Sequence, residues 1–213
     1  MKLLNFLALS LAFIAFTSCQ PKTAEVASVS NATDASINGS WSTDCLVNNS
    51  SSALETFQVE NGVLTMATLF YSGTLCEQDK LIATLIQNGQ LTLSGANAAL
   101  DGGNNYEWLQ TVAVAIPNDS SIVDFLNNES ACGTSSWTIN QHVSILGCSA
   151  ANAFDFSQVA PGTIHYGVFK IDAEATPNSL LFGEDCTIPG YEKICPTEQN
   201  RPTVFRNLTY FRR

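Results

Sequence analysis

The stretch that most restricts this chain is "ETFQVENGVLTMATLFYS", residues 55–72. Two β-rich runs meet there at Asn61-Gly62. A two-residue hairpin turn needs positive φ at both central positions, and Asn-Gly is the pair that tolerates it best. The stretch therefore predicts adjacent antiparallel strands, and a chain that starts this way needs further strands to cover the apolar face.

Those strands are supplied downstream. "LIATLIQNGQLTLSG" repeats the device at Asn88-Gly89 and predicts a second hairpin there. "YEWLQTVAVAIP" puts Trp108, Val112, Val114 and Ile116 at period two, on one face. "SSWTINQHVSIL" sets Trp137, Ile139, Val143 and Ile145 against Thr138, Asn140, His142 and Ser144. With "GSWSTDC", "TIHYGVFKID", "SLLFGE" and "FRNLTYFRR", about ten candidate strands result. One segment differs: "NDSSIVDFLNNESACG" spaces Ile122, Phe125, Leu126 and Glu129 helically. Asn118, Asp119 or Ser120 can cap a short helix over about 121–130, and Gly133 can end it. The predicted fold is mainly β, an antiparallel up-and-down barrel or a sandwich with one short α-helix.

Ahead of the strands lie Met1, Lys2, an apolar run from Leu3 to Phe16, then Thr17 and Ser18. That is the pattern of a secretory leader, and the run is too short to span a bilayer. Residues 20–38 are mostly small and polar and predict a flexible tether with a reach of roughly 25 Å. The expected organisation is a leader over 1–18, an attachment cysteine and tether over 19–38, and one β-domain over 39–213. The chain has 9 basic and 19 acidic residues, and losing Lys2 with the leader takes the net charge from −10 to −11. Such a surface repels nucleic acid and anionic lipid, so no nucleic-acid partner is expected.

Seven cysteines are present: Cys19, Cys45, Cys76, Cys132, Cys148, Cys186 and Cys195. In an oxidising compartment an even set pairs, which sets Cys19 apart from the other six. Sequence alone allows every pairing of the six. Pairs of neighbours, Cys45–Cys76, Cys132–Cys148 and Cys186–Cys195, each close a local loop between candidate strands. No C-x-x-C pair exists, so neither zinc nor another metal is expected.

"FTSC", Phe16 to Cys19, resembles the lipobox of a bacterial lipoprotein signal, with Phe16 in place of the usual aliphatic residue. The resemblance implies that Cys19 becomes the mature N-terminus and carries diacylglycerol, commonly with an added N-acyl chain. Gln20 after it implies the outer membrane. The location expected is the bacterial cell envelope, reached through a lipid anchor. The alternative is a secreted glycoprotein, because Asn-x-Ser/Thr acceptors occur at Asn31, Asn38, Asn48, Asn49, Asn118, Asn128 and Asn207.

"NGSW", Asn38 to Trp41, is similar to the opening of lipocalins. In that family the Trp packs across the closed end of an eight-stranded barrel and a late-chain Arg stacks on it. Arg201, Arg206 and Arg212 are available for that place. A wider pattern covers most of 39–213: Trp41-x-x-x-Cys45, Tyr71 with Cys76, Ala131-Cys132-Gly133, Trp137, Cys148, "VFKID", "LLFGE" and "RPT". It resembles a group of exported bacterial lipoproteins with no assigned activity.

A search for catalytic groups yields none. No Gly-x-Ser-x-Gly elbow occurs, and the histidines are only His142 and His165, both read as structural. Asp119 and Asp124 flank the helix, and Glu184-Asp185 precede Cys186; a cap and a solvated turn account for them. "LDGGNNYE" lacks the Asp spacing of a calcium loop and reads as a turn. The expectation is a non-enzyme without cofactor. Phe57, Phe70, Trp108, Trp137 and Tyr166 fall on candidate strands and could line a pocket for a small apolar ligand, or fill the core. Arg201, Arg206, Arg212 and Arg213 crowd the last strand, as a basic tip for an envelope protein or glycan partner, or as balance for nearby acid.

Overall fold

The computed structural model describes residues 37–148, 161–184 and 195–213. The leader, Cys19, nearly all of the tether and Cys186 lie outside the described residues. Among these residues the strands are β1 (Gly39–Ser42), β2 (Leu46–Asn48), β3 (Ser51–Glu60), β4 (Val63–Ser72), β5 (Leu81–Ala96), β6 (Asn104–Pro117), β7 (Val143–Ser144), β8 (Ile164–Asp172), β9 (Ser179–Gly183) and β10 (Phe205–Arg212), with one α-helix, α1 (Ser120–Asn128).

Every pairing is antiparallel, and β1 pairs with β10 on one side and with β3 on the other. That closes β1, β3, β4, β5, β6, β8, β9 and β10 into an eight-stranded barrel. The sandwich is thereby excluded. β2 continues beside β3, and β7 beside β6.

The first hairpin is as expected: Asn61 and Gly62 take φ 51° and 75° between β3 and β4. Asn88-Gly89 does not turn. It lies inside β5, where a Cβ on Gly89 would come within 2.5 Å of Trp108 Nε1 and 2.2 Å of the Leu109 carbonyl oxygen. Glycine is there for a close approach, and the Asn88 amide donates to Thr65 Oγ1 at 2.7 Å. The register shifts at this place, Asn88 facing Val112 but Gly89 facing Gln110. The bulge reverses the alternation of β6. Trp108, Ala113 and Ala115 are buried while Val112 is exposed, so Trp108 and the even-numbered residues from Val112 onward do not share a face.

"SSWTINQHVSIL" is also not a long strand; only Val143 and Ser144 pair, and Ile139 is exposed. The Asn127 side chain competes for this backbone. It accepts from Trp137 N at 2.7 Å and donates to the Trp137 carbonyl at 3.0 Å. Trp137 Nε1 donates to the Ala131 carbonyl at 3.1 Å. The segment folds into a cap with α1, closed by the Cys132–Cys148 disulfide. Asp119 caps α1 by accepting from Ser121 N at 2.8 Å.

Two apolar cores result. The larger holds Ile37, Trp41, Phe57, Leu64, Trp108, Phe169, Leu180, Phe182 and Tyr210 among its buried members. Ile37, placed in the tether by composition, is buried and accepts from Trp41 Nε1 at 2.9 Å. The smaller core joins Ala113 and Ala115 to Leu126, Trp137 and Ile145 of the cap. Cys45–Cys76 is bonded as expected, and Cys195 is disulfide-bonded too.

Candidate functional site

Residues directly opposite each other on paired strands share a face. Tracing the registers from the larger core therefore identifies the inner wall of the barrel. Successive rows across β3, β4, β5 and β6 are Ala53–Phe70–Ala83–Pro117, Glu55–Thr68–Leu85–Ala115, Phe57–Met66–Gln87–Ala113 and Val59–Leu64–Gly89–Gln110. Burial changes down this stack. Val59, Leu64, Gly89 and Gln110 are all buried, whereas Ala53, Phe70, Ala83, Glu55, Thr68 and Leu85 keep partial exposure. The Trp41 end of the barrel is sealed by packing, and the opposite end of the β3–β5 wall is accessible.

At that accessible end a shallow cleft, partly open to solvent, is lined by Phe70, Ala83, Leu85, Ala115, Ile122 and Leu126, with Thr84, Ile116 and Pro117. Ile122 and Leu126 stand one helical turn apart and so face the wall together. The alanines leave the gap that larger side chains would fill. The walls are apolar, and the enclosed space is only about 10 Å³, at the limit for a single water molecule.

Polar groups also occur on the inner wall. The Tyr210 hydroxyl donates to Glu55 Oε2. Burial raises the Tyr210 pKa far above its ordinary value, and the Glu55 charge adds to the rise, while Arg206 opposes it more weakly. His165 lies beside Trp108, ring centroids 5.1 Å apart. Burial pushes His165 down to about 4. Among the described residues, Trp108 Nε1 and His165 Nε2 have no hydrogen-bond partner.

The five aromatic candidates are not brought together. Phe57 is core, stacked 6.0 Å from Trp41 and edge-on to Phe182 and Tyr210 at 5.2 Å each. Trp108 belongs to the same core, and Trp137 to the cap. Tyr166 is on the outer face beneath Arg201, 5.1 Å from its guanidinium carbon. Phe70 lines the cleft. Glu55, which sequence reasoning missed, did leave a signal: it stands two residues before Phe57 and four before Val59, a charge on an apolar register.

The basic residues at the end of the chain are largely engaged by the barrel itself. Arg201 donates to the carbonyls of Tyr106 and Gly167 at 2.6 and 2.9 Å and pairs with Glu107 at 3.5 Å. Arg212 lies over Trp41, and Arg213 reaches Ser42 Oγ and Asp44. His142 is exposed, and Asp101 lies in a tight turn closed by the Gly103 N–H donating to the Leu100 carbonyl at 2.9 Å. No group of His, Cys, Asp or Glu suited to a metal ion occurs among the described residues. No protein-family model and no curated protein matches the chain.

Proposed function

We propose that this chain is a binding protein of the bacterial cell envelope, tethered through Cys19, that accepts a small apolar ligand in the open end of its barrel. The observation that supports this reading is the small apolar cleft beneath α1, walled by alanines and aliphatic side chains, which a ligand would have to widen. The disulfides fit an oxidising, extracytoplasmic setting. No reaction is assigned.

Filling the cleft tests the reading. Ala83→Phe puts an aromatic ring into the gap from the inner wall. A fluorescent fatty-chain probe should bind the natural protein at micromolar concentration and the variant at least tenfold more weakly, with both equally folded. Equal binding by both would place the probe elsewhere. Failure of any apolar probe to bind would favour the second reading, an envelope interaction module working through its surface, which the solid aromatic packing of the Trp41 end supports.

A further inference from the structure

The cap over the accessible end of the barrel has two halves, held differently. Residues 138–148 are fastened to β6 by backbone bonds. Asn140 N donates to the Pro117 carbonyl at 2.7 Å and Ile145 N to the Ala113 carbonyl at 2.9 Å, while Val143 and Ser144 pair with Ala115 and Val114. Residues 120–137 are bonded to one another, through the Asn127 side chain on both backbone groups of Trp137 and Trp137 Nε1 on the Ala131 carbonyl. This half meets the barrel where Ile122 and Leu126 pack with Leu85 and Ala115, an apolar contact without directional bonds. Cys132–Cys148 is the covalent link between the halves. It holds Cys132 in the left-handed region at φ 55°, beside Ser130 at φ 49° and Gly133 at φ 73°. That region is unfavourable for any residue with a side chain. Neither Cys45 nor Cys76, which form the other bridge described at both ends, has a positive φ.

We propose that residues 120–137 are a lid on the cleft and that Cys132–Cys148 is its redox latch, opened by a dithiol reductant. This rests on the binding reading above and adds how so small a cleft widens. Cys132 is partly exposed and Cys148 is buried, so the attacking thiolate meets the Cys132 sulfur. A mixed disulfide forms on Cys132 and Cys148 leaves as a thiolate. The second thiol of the reductant then displaces Cys132. The protein has gained two electrons and two protons, and the reductant leaves as a disulfide. The freed lid stays tied at both ends. Before it, Asn118 N donates to the Ile82 carbonyl at 2.8 Å, and after it Asn140 keeps its bond to Pro117. Turning between these anchors lifts Ile122 and Leu126 off the wall, and Cys132 is released from its left-handed conformation.

Stopped-flow association of the fluorescent fatty-chain probe tests the latch, because the observed rate follows the fraction of protein that is open. The Cys132→Ser, Cys148→Ser double variant should associate at least tenfold faster than the natural protein. The Cys45→Ser, Cys76→Ser variant, which loses a bridge away from the lid, should keep the natural rate. A second measurement needs no variant. Graded dithiothreitol on the natural protein, followed by alkylation and peptide mass spectrometry, should label Cys132 and Cys148 before Cys45 and Cys76. Labelling in the reverse order, or equal association rates with and without the latch, would overturn the latch while the probe still binds. Association with neither form would overturn the binding reading and the lid together.

Discussion

Arg212 lies across the face of Trp41, its guanidinium carbon 5.2 Å from the ring centroid, while the same side chain donates to the Asn38 carbonyl. Trp41 in turn faces Phe57 on β3 and Arg212 on β10, so one side chain sits at the junction that closes the barrel. Of the late-chain arginines, Arg212 is the one that lies over Trp41. A cation over an indole contributes about 0.5–1 kcal/mol when exposed and about 2 when desolvated.

Arg212→Ala should therefore lower the unfolding free energy by about 1–2 kcal/mol, and Arg212→Lys by less. Trp41→Ala, which empties a buried site, should cost about 3–5 kcal/mol. Urea unfolding of the three variants checks the ranking. Equal losses for Arg212→Ala and Trp41→Ala would mean that the arginine holds the junction by more than stacking.

His165 makes stability depend on pH. Its pKa falls from an ordinary value near 6.5 to about 4 in the folded barrel. Above about pH 6.5 the ring is neutral in both states and adds no slope. Between about 6.5 and 4 the unfolded chain takes up the proton and the folded chain does not, so stability falls with falling pH. The loss is on the order of 3 kcal/mol by pH 4. His165→Phe should flatten that part of the profile, as measured by thermal melts across the range.

Gly89→Ala should be among the most damaging small substitutions. Its new methyl would meet backbone, at 2.2 Å from the Leu109 oxygen and 2.8 Å from Gln110 Cα. Overpacking of this kind costs about 3 kcal/mol or more. Gly95→Ala meets open space and bears only the strain of φ +94°, about 1–2 kcal/mol. Comparing their melting temperatures separates close approach from backbone conformation.

These positions also mark where the sequence stopped being readable. Alternation and the Asn61-Gly62 turn were enough to identify strands and an up-and-down order. Asn88-Gly89 carries the same letters, but its role is set by Trp108, nineteen residues on, which no local pattern encodes. The reversal of face along β6 follows from the same bulge. Trp137 alternated convincingly, yet the Asn127 side chain from α1 took its backbone hydrogen bonds. The cleft was half legible: Phe70 was named, while the small residues that create the space, Ala83 and Ala115, give no signal until opposite strands are aligned. Closure of β1 on β10 is a contact between chain ends, and only the Gly-x-Trp likeness hinted at it.

Opening Cys132–Cys148 should loosen the cap before the barrel. The bridge spans 16 residues, worth about 3 kcal/mol on the chain-entropy account. The Cys132→Ser, Cys148→Ser double variant should speed amide exchange at Leu126 and Trp137. Phe169 and Leu180 should stay protected. Uniform loss of protection would show that the cap and the barrel unfold as one unit.

The most direct test of the central claim is an amide NMR titration of the mature protein with decanol. The binding account predicts saturable shift changes at Ala83, Leu85, Ala115, Ile122 and Leu126, with Trp41 and Phe182 unmoved. Shifts confined to exposed residues such as Val47 and Leu75, or no saturable shift, would contradict it.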